Sequence, residues 1–326
     1  MNNLLFASSQ ALKPYTTGMI HTITLNPTLD LTYMVDKFHE EDTMRAHTVY
    51  RAPGGKGINV SRMATRIGHP SVALGFIAGG TGLEVARLLE GEGVNTWFTP
   101  LETGETRTNP IIQASDGQHI RVSGLGPIAD PRAVQSLRES VFDLRDPDWL
   151  LVSGSRLKGV PDNFYTSIIA QANNMGVKTV VDADGAELES GINAGAKMIK
   201  PNRHELERLL KRELPTVQDV LNGTREVLKM GVDVVAASMG GDGALLVTKE
   251  YAFHAKPPEV KTGSAVGAGD SFLAGLLAKL AEGLEPQAAL RFAIACGSAT
   301  ASIPGSQLGN LELIQSLEPK VIVTPV

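Results

Sequence analysis

A chain of 326 residues with 42% apolar side chains can bury a large core, and it fits one big α/β domain carrying at most a small appendage. A formal charge of -5 with interspersed signs argues against the basic stripe of a nucleic-acid binder, and no run approaches the roughly 20 apolar residues of a bilayer-crossing helix, so no membrane association is expected. The single cysteine, Cys296, cannot close an internal disulfide, which suits a reducing compartment and makes the cytoplasm the expected location.

Residues 1–18 hold one short apolar cluster (Leu4, Leu5, Phe6) without a basic start or a longer apolar stretch, a poor match to a secretory signal. They read as a flexible leader or an upstream translation start, with the folded domain over 19–326. The first strand-like run is 19–25, followed by a roughly alternating, antiparallel-looking stretch over about 31–51. A glycine-rich turn then feeds a helix on which Val60, Met63, Ala64 and Ile67 recur at helical spacing. A strand at 72–78 precedes a helix bearing Val85, Leu88 and Leu89, and a second alternating stretch covers about 106–123. Strand-like runs at 149–152, 178–182, 198–200 and 232–236 continue the rhythm, and Phe272, Leu276, Leu277 and Leu280 mark a further helix. Strands separated by helices predict a parallel α/β sheet. The two alternating stretches predict a small separate sheet, inserted as a lid over the C-terminal strand ends where open α/β sheets bind ligands.

Four segments carry candidate chemistry. Pro53, Gly54, Gly55, Lys56, Gly57, Ile58 and Asn59 form a glycine-rich turn before a helix, but Gly57 after Lys56 and Tyr50 at the earlier glycine position exclude a Walker A loop. The turn is either ordinary or one that lets a ligand approach the backbone. Lys200, Pro201, Asn202, Arg203, His204 and Glu205 place Asn202 and Glu205 on nearly one helix face, which suits hydrated magnesium and equally suits a helix cap. Ser238, Met239, Gly240, Gly241, Asp242 and Gly243 make a glycine-rich turn between strands, with a plain hairpin as the alternative. Thr262, Gly263, Ser264, Ala265, Val266, Gly267, Ala268, Gly269 and Asp270 open a helix with small residues, so that backbone N–H groups converge on an anion beside a carboxylate. Asp270 could cap that helix or serve as a base for phosphoryl transfer to a hydroxyl. Arg45, Arg51, Arg107 and Arg121 lie where the lid is expected, and the guanidinium fork suits phosphate. The dinucleotide fingerprint is absent, since Leu25, Asn26, Pro27 and Thr28 follow the first strand.

Together with Asn26 to Asp30, these segments resemble the ribokinase-like, PfkB-type carbohydrate kinases, in the branch that phosphorylates hexose phosphates, and the resemblance covers nearly everything from Met19 onward. It implies a doubly wound ribokinase-like α/β sheet with a small β lid, a homodimer paired through the lids, and the cofactors ATP and Mg2+. By the same carry-over, Asp270 would be the base, backed by Gly267, Ala268 and Gly269. Asp30, Gly54, Gly55, Lys56, Asn59, Arg107, Arg45, Arg121 and Ser155 would bind the sugar phosphate. Lys200, Asn202, Ser238, Gly240 and Gly243 would bind the nucleotide, with Asn202 and Glu205 at the magnesium. The implied reaction is fructose 6-phosphate to fructose 1,6-bisphosphate, with 1-phosphofructokinase or tagatose-6-phosphate kinase activity as alternatives. A non-catalytic sugar-phosphate sensor is the reading from another class, and the presence of Asp270, Asn202 and Glu205 argues against it. Two segments depart from the family pattern: Arg156, Leu157 and Lys158 stand where relatives carry Leu-Pro-Pro, and Asp182, Ala183 and Asp184 where Asp-Ser-Ser is more common.

Overall fold

A computed structural model describes residues 18–39, 42–143 and 147–326, so the expected leader lies, apart from Gly18, outside the described residues. The elements run β1 (Met19–Thr24), β2 (Thr28–Val35), β3 (Thr48–Gly54), α1 (Lys56–Arg66), β4 (Ser71–Ala78), α2 (Gly79–Gly91), β5 (Asn95–Leu101), β6 (Arg107–Ala114) and β7 (His119–Arg121). Next come α3 (Pro131–Asp143), β8 (Pro147–Ser153), α4 (Phe164–Asn174), β9 (Lys178–Asp182), α5 (Gly185–Asn193), β10 (Met198–Ile199), α6 (Arg203–Leu210), α7 (Val217–Leu228) and β11 (Val234–Ser238). The chain ends with β12 (Ala244–Val247), β13 (Ala252–Lys256), α8 (Ala268–Ala281), α9 (Pro286–Ala301), α10 (Leu311–Leu317) and β14 (Ile322–Pro325).

Ten strands form the main sheet in the order β14-β13-β12-β11-β10-β9-β8-β1-β4-β5. From β11 to β5 every neighbour is parallel, as the strand and helix rhythm predicts, whereas β12, β13 and β14 add an antiparallel edge. Side chains alternate across a pleated strand, so each central strand feeds two cores. Leu150 and Val152 of β8 face Leu137, Ile168, Leu188 and Val227 of α3, α4, α5 and α7, while Leu151 faces Met63, Leu276, Ala293 and Ile314 of α1, α8, α9 and α10. The sheet is therefore covered on both faces, the doubly wound α/β arrangement expected. Cys296 packs on α9 against Gly275 of α8, where a Cβ would stand 2.7 Å from its Sγ, so its role is helix packing.

The two alternating stretches come together in a four-stranded sheet, order β3-β2-β6-β7, whose first strand begins at Thr28 and not at Leu31. It docks beside the C-terminal ends of the main strands: the Arg107 guanidinium donates to the Asn26 carbonyl, and Ser306 Oγ donates to Asp30 on β2.

Gly75 lies within β4 at φ +151°, opposite Thr24, and a Cβ there would sit 2.0 Å from the Thr24 carbonyl oxygen. Gly68, at φ +82°, has no atom within 4 Å of its Cβ position. Chemical denaturation is therefore expected to show a loss of about 1 kcal/mol for Gly68→Ala, from the left-handed backbone alone. For Gly75→Ala, where strain and a clash combine, about 3 kcal/mol or more is expected.

Candidate active site

A cleft of about 510 Å³ opens at the C-terminal ends of β1, β8, β9, β10 and β11, roofed by Arg107 and Arg121 of the small sheet. Strand β3 turns directly into α1 here. Gly55 takes φ +122°, and Gly57 has no room for a side chain, because a Cβ would lie 2.6 Å from Thr24 Oγ1 and 2.7 Å from Ser153 Oγ. The glycines thus bring the start of α1 against β1 and β8, where the Ile58 amide donates to Thr24 Oγ1 at 3.0 Å. Lys56 and Asn59 project from that first turn into the cleft.

The floor of the cleft is a cluster of charges. Asp182, at the end of β9, has no exposed surface; Lys56 Nζ donates to its Oδ1 at 2.7 Å, and Lys200 Nζ stands 3.2 Å from its Oδ2. Lys56 also reaches Glu205 Oε1 at 3.0 Å. Burial alone would raise the pKa of Asp182, but the two ammonium groups outweigh it and hold the carboxyl below its ordinary range. Burial likewise opposes the charge on Lys56, yet Asp182, Glu205 and Asp270 keep its pKa well above that of a free lysine. Asp182 was not among the expected site residues. In the sequence it drew notice only within the segment that departs from the family pattern; the further signal is an acidic residue at the C-terminal end of a parallel strand, where ligands meet such sheets.

Asn202 and Glu205 form a capping box on α6: Asn202 Oδ1 accepts from the Glu205 amide at 2.9 Å, and Glu205 Oε2 accepts from the Asn202 amide at 2.8 Å. The cap and the site coincide, because both residues also line the cleft. Their oxygens retain lone pairs suited to the waters of a hydrated cation, and among the described residues no group of three His, Cys, Asp or Glu side chains could hold a bare metal ion.

On α8 the N-cap is Gly267, at φ +77°. Asp270 stands in the first turn beyond it and does not cap; its Oδ2 accepts from Asn59 Nδ2 at 2.8 Å. Burial, then repulsion from Asp182, pushes its pKa up to about 6, against the pull of Lys200, Lys56 and the Asn59 hydrogen bond. A carboxylate so placed is poised to exchange a proton near neutral pH.

The opposite end of the cleft is polar and incompletely paired. Arg107 donates to the carbonyls of Gly124 (3.1 Å) and Asn26 (2.9 Å), while its buried Nε, like Asn26 Oδ1 and Thr28 Oγ1, has no partner. Burial lowers the Arg107 pKa, Asp30 opposes this, and the nearby Arg121 guanidinium adds to the lowering. Two like charges sharing one mouth, with unpaired polar atoms around them, leave room for an anionic, hydroxyl-rich ligand.

Of the expected site residues, Gly55, Lys56, Asn59, Arg107, Arg121, Ser155, Lys200, Asn202, Glu205, Ser238, Gly267, Gly269 and Asp270 line this cleft. Asp30 is buried one layer behind, bonded to Asn109 Nδ2 at 3.1 Å and Ser306 Oγ at 3.2 Å, and Gly54 makes room for it, since a Cβ there would lie 2.8 Å from Asp30 Oδ2. Ala268 continues the α8 start but is not on the lining. Gly240 and Gly243 sit in the β11–β12 hairpin, where Gly243 has a packing reason of its own: a Cβ would lie 1.9 Å from the Ala255 carbonyl oxygen. Arg45 is exposed between β2 and β3, away from the cleft, and Arg51 is taken by a two-point ion pair with Glu84 (2.8 and 2.7 Å). Thr24, Asn26, Thr28, Gly154, Ala265 and Val266 complete the lining.

The raised pKa of Asp270 has a stability consequence whose sign is definite. Its contribution to folding is present below the ordinary carboxylate pKa and is lost as pH rises through about 6. Urea denaturation should therefore find Asp270→Asn more stable than the parent by about 3 kcal/mol at pH 8 and no more stable at pH 4.

Residues 24–313 match the family described as pfkB family carbohydrate kinase. The 1-phosphofructokinase of Bacillus subtilis (strain 168) is 34% identical over 306 residues, spanning 94% of this chain and 99% of that protein. The ATP-dependent 6-phosphofructokinase isozyme 2 of Escherichia coli (strain K12) is 33% identical over 296 residues, 89% of this chain and 94% of its own. The crystal structure of the phosphofructokinase-2 from Escherichia coli in complex with substrates and products superposes with a TM-score of 0.88 at 31% identity, covering 92% of this chain and 98% of that one. With similarity running nearly end to end, in sequence and in fold, the chain belongs to the pfkB family of carbohydrate kinases and is an ATP-dependent carbohydrate kinase.

Proposed function

We propose that the chain transfers the γ-phosphoryl group of ATP to a hydroxyl of a phosphorylated ketohexose, fructose 6-phosphate, yielding fructose 1,6-bisphosphate and ADP. The observation that carries this reading is Asp270: a recessed carboxylate with its pKa pushed up to about 6, held by Asn59 at the amino end of α8, in a cleft whose far end carries two arginines. Deprotonated above that pKa, Asp270 takes the proton of the attacking hydroxyl through Oδ1, since Oδ2 is engaged by Asn59. The α8 amino end at Gly267, Ala268 and Gly269, with Lys200, faces the charge that develops on the moving group, a contribution on the order of 3 kcal/mol per well-placed donor.

Lys56 belongs with the transferred group and not with the sugar's own phosphate, because its ammonium lies against Asp182 and Glu205. Arg107 and Arg121 remain for that phosphate, with Asn26, Thr28 and Ser155 for the hydroxyls and Ser238 beside the nucleotide. Magnesium, when bound, neutralises charge on the ATP phosphates; Asn202 and Glu205 would hold its waters. The small sheet acts as a lid that keeps competing water from the phosphoryl group. Fructose 1-phosphate is the second reading: the two arginines recognise a phosphate and not the carbon that bears it, and the Bacillus relative carries that activity in its name.

Purified protein with magnesium and ATP should release ADP on addition of one of fructose 6-phosphate, fructose 1-phosphate or tagatose 6-phosphate, with kcat/KM highest for fructose 6-phosphate and an acid limb near pH 6. Asp270→Ala should lose about 10²- to 10⁴-fold in kcat while sugar-phosphate affinity stays within a few-fold. An unimpaired kcat in that variant removes Asp270 as base, and a preference for fructose 1-phosphate selects the second reading.

The small sheet also supports a homodimer. Cross-strand register sets Tyr33, Val49, Ile112 and Ile120 in one row, on the face opposite Asp30 and Thr32. Val49 is 47% and Ile120 52% exposed, an apolar row that a second copy would cover. Sedimentation should give a dimer mass for the parent and a monomer mass for the double variant Val49→Glu with Ile120→Glu. A parent that sediments as a monomer overturns the pairing.

A further inference from the structure

Arg62, on α1, is only 3% exposed, yet it lines no part of the cleft. Each of its three guanidinium nitrogens is bonded within this chain. Nε and Nη2 grip Glu92, beyond the end of α2, at 2.9 and 2.7 Å, and Nη1 reaches the Pro53 carbonyl (3.0 Å), the Ser306 carbonyl (3.4 Å) and Asn59 Oδ1 (3.2 Å). Asn59, one turn earlier on the same helix face, uses its Nδ2 on Asp270. Arginine has donors and no acceptor, so only the amide oxygen of Asn59 can face it, and the NH2 group is thereby turned to the carboxylate. Flipping the amide would set NH2 against the guanidinium and oxygen against Asp270, losing both bonds at once.

We propose that Arg62 is a positioning residue for phosphoryl transfer, fixing the Asn59 amide so that Nδ2 holds Asp270 Oδ2 and leaves Oδ1 free for the sugar hydroxyl. The same guanidinium ties the Asn59 amide to the end of β3 through Pro53 and to the α9–α10 connection through Ser306, so the base is aligned with elements that flank the lid. This rests on Asp270 being the base. The charged groups acting on Asp270 are Asp182 from β9, Lys200 after β10 and Lys56 from α1, and Arg62 bonds none of them, so its influence on the base passes through Asn59.

Arg62→Lys keeps the charge near Glu92 but lacks the second arm. Steady-state kinetics should show kcat lowered about 10- to 100-fold, KM for the sugar phosphate changed less than about 3-fold, and the acid limb moved to higher pH, because Asp270 loses a hydrogen bond that favours its ionised form. In an Asn59→Ala background the same substitution should change kcat less than about 2-fold, as expected for two residues acting as one unit. An equal loss in both backgrounds, or an unchanged kcat and acid limb in Arg62→Lys, overturns the proposal. Should Arg62→Lys fail to fold, Glu92→Gln takes its place: the guanidinium loses its anchor, and the same upward move of the acid limb, absent in the Asn59→Ala background, is required. Asp270→Asn in the same assay separates the two readings. Activity in that variant removes the base assignment, whereas inactivity there with no Arg62 effect removes only this inference.

Discussion

The site depends on one buried charge. Asp182 is enclosed by protein and survives as an anion because two ammonium groups, Lys56 and Lys200, meet its two oxygens. Such an arrangement contributes little net stability, since taking ions out of water costs about as much as their attraction returns, but removing one member is costly. Its effect is geometric. Lys56 is drawn down from the first turn of α1, Lys200 is held after β10, and Glu205 is joined to the cluster through Lys56. Asp270 sits over this set and experiences both signs: the neighbouring carboxylate raises its pKa and the lysines restrain the rise. Its titration is set by this floor as well as by its burial.

Bringing these groups together requires backbone where side chains would otherwise stand. Gly57 leaves the start of α1 in contact with Thr24 and Ser153, which puts Lys56 against Asp182 at the end of β9 and Asn59 against Asp270, and Gly267 turns the chain so that α8 points its amino end at the same place. Two helix starts, each with a positive dipole end, therefore converge on one cleft, an arrangement that suits an anion. The small sheet completes the cleft from the other side because β2 leaves β1 after only three residues, carrying the roof with it.

Much of this was legible in the sequence, for identifiable reasons. β-branched runs at the parallel strands other than β5, helical spacing on α1, α2 and α8, and alternation in the small sheet are local signals, and the structure follows them to within a few residues, whereas β5 (Asn95–Leu101) went unread. The antiparallel strands β13 and β14 left no comparable trace: the first is a short run with His254 and Lys256, and the second is an edge strand with exposed Ile322 and Pro325. Glycine-rich helix starts exposed Lys56, Asn59 and Asp270, and the three-residue spacing of Asn202 and Glu205 exposed the α6 cap. Asp182 and Arg62 escaped because their meaning lies in distant partners. Asp182 meets Lys56 from 126 residues away, and Arg62 meets Ser306 from 244. An acid at a strand end and a base on a helix are unremarkable until the fold buries them.

The α6 start shows why the bland and functional readings of one motif need not compete. A capping box satisfies helix amides that water would otherwise have to reach, and in doing so it fixes the Asn202 and Glu205 side chains in one rotamer each. Glu205 then has one oxygen on its own helix and the other against Lys56, so it enters the cleft already oriented. The charge count follows the same logic: Asp182, Glu205 and Asp270 oppose Lys56 and Lys200, leaving one excess negative charge when Asp270 is ionised. Protonation of Asp270 would cancel that excess, so accepting a proton brings the cluster to balance, and the electrostatics of the resting site favour the event a base must perform.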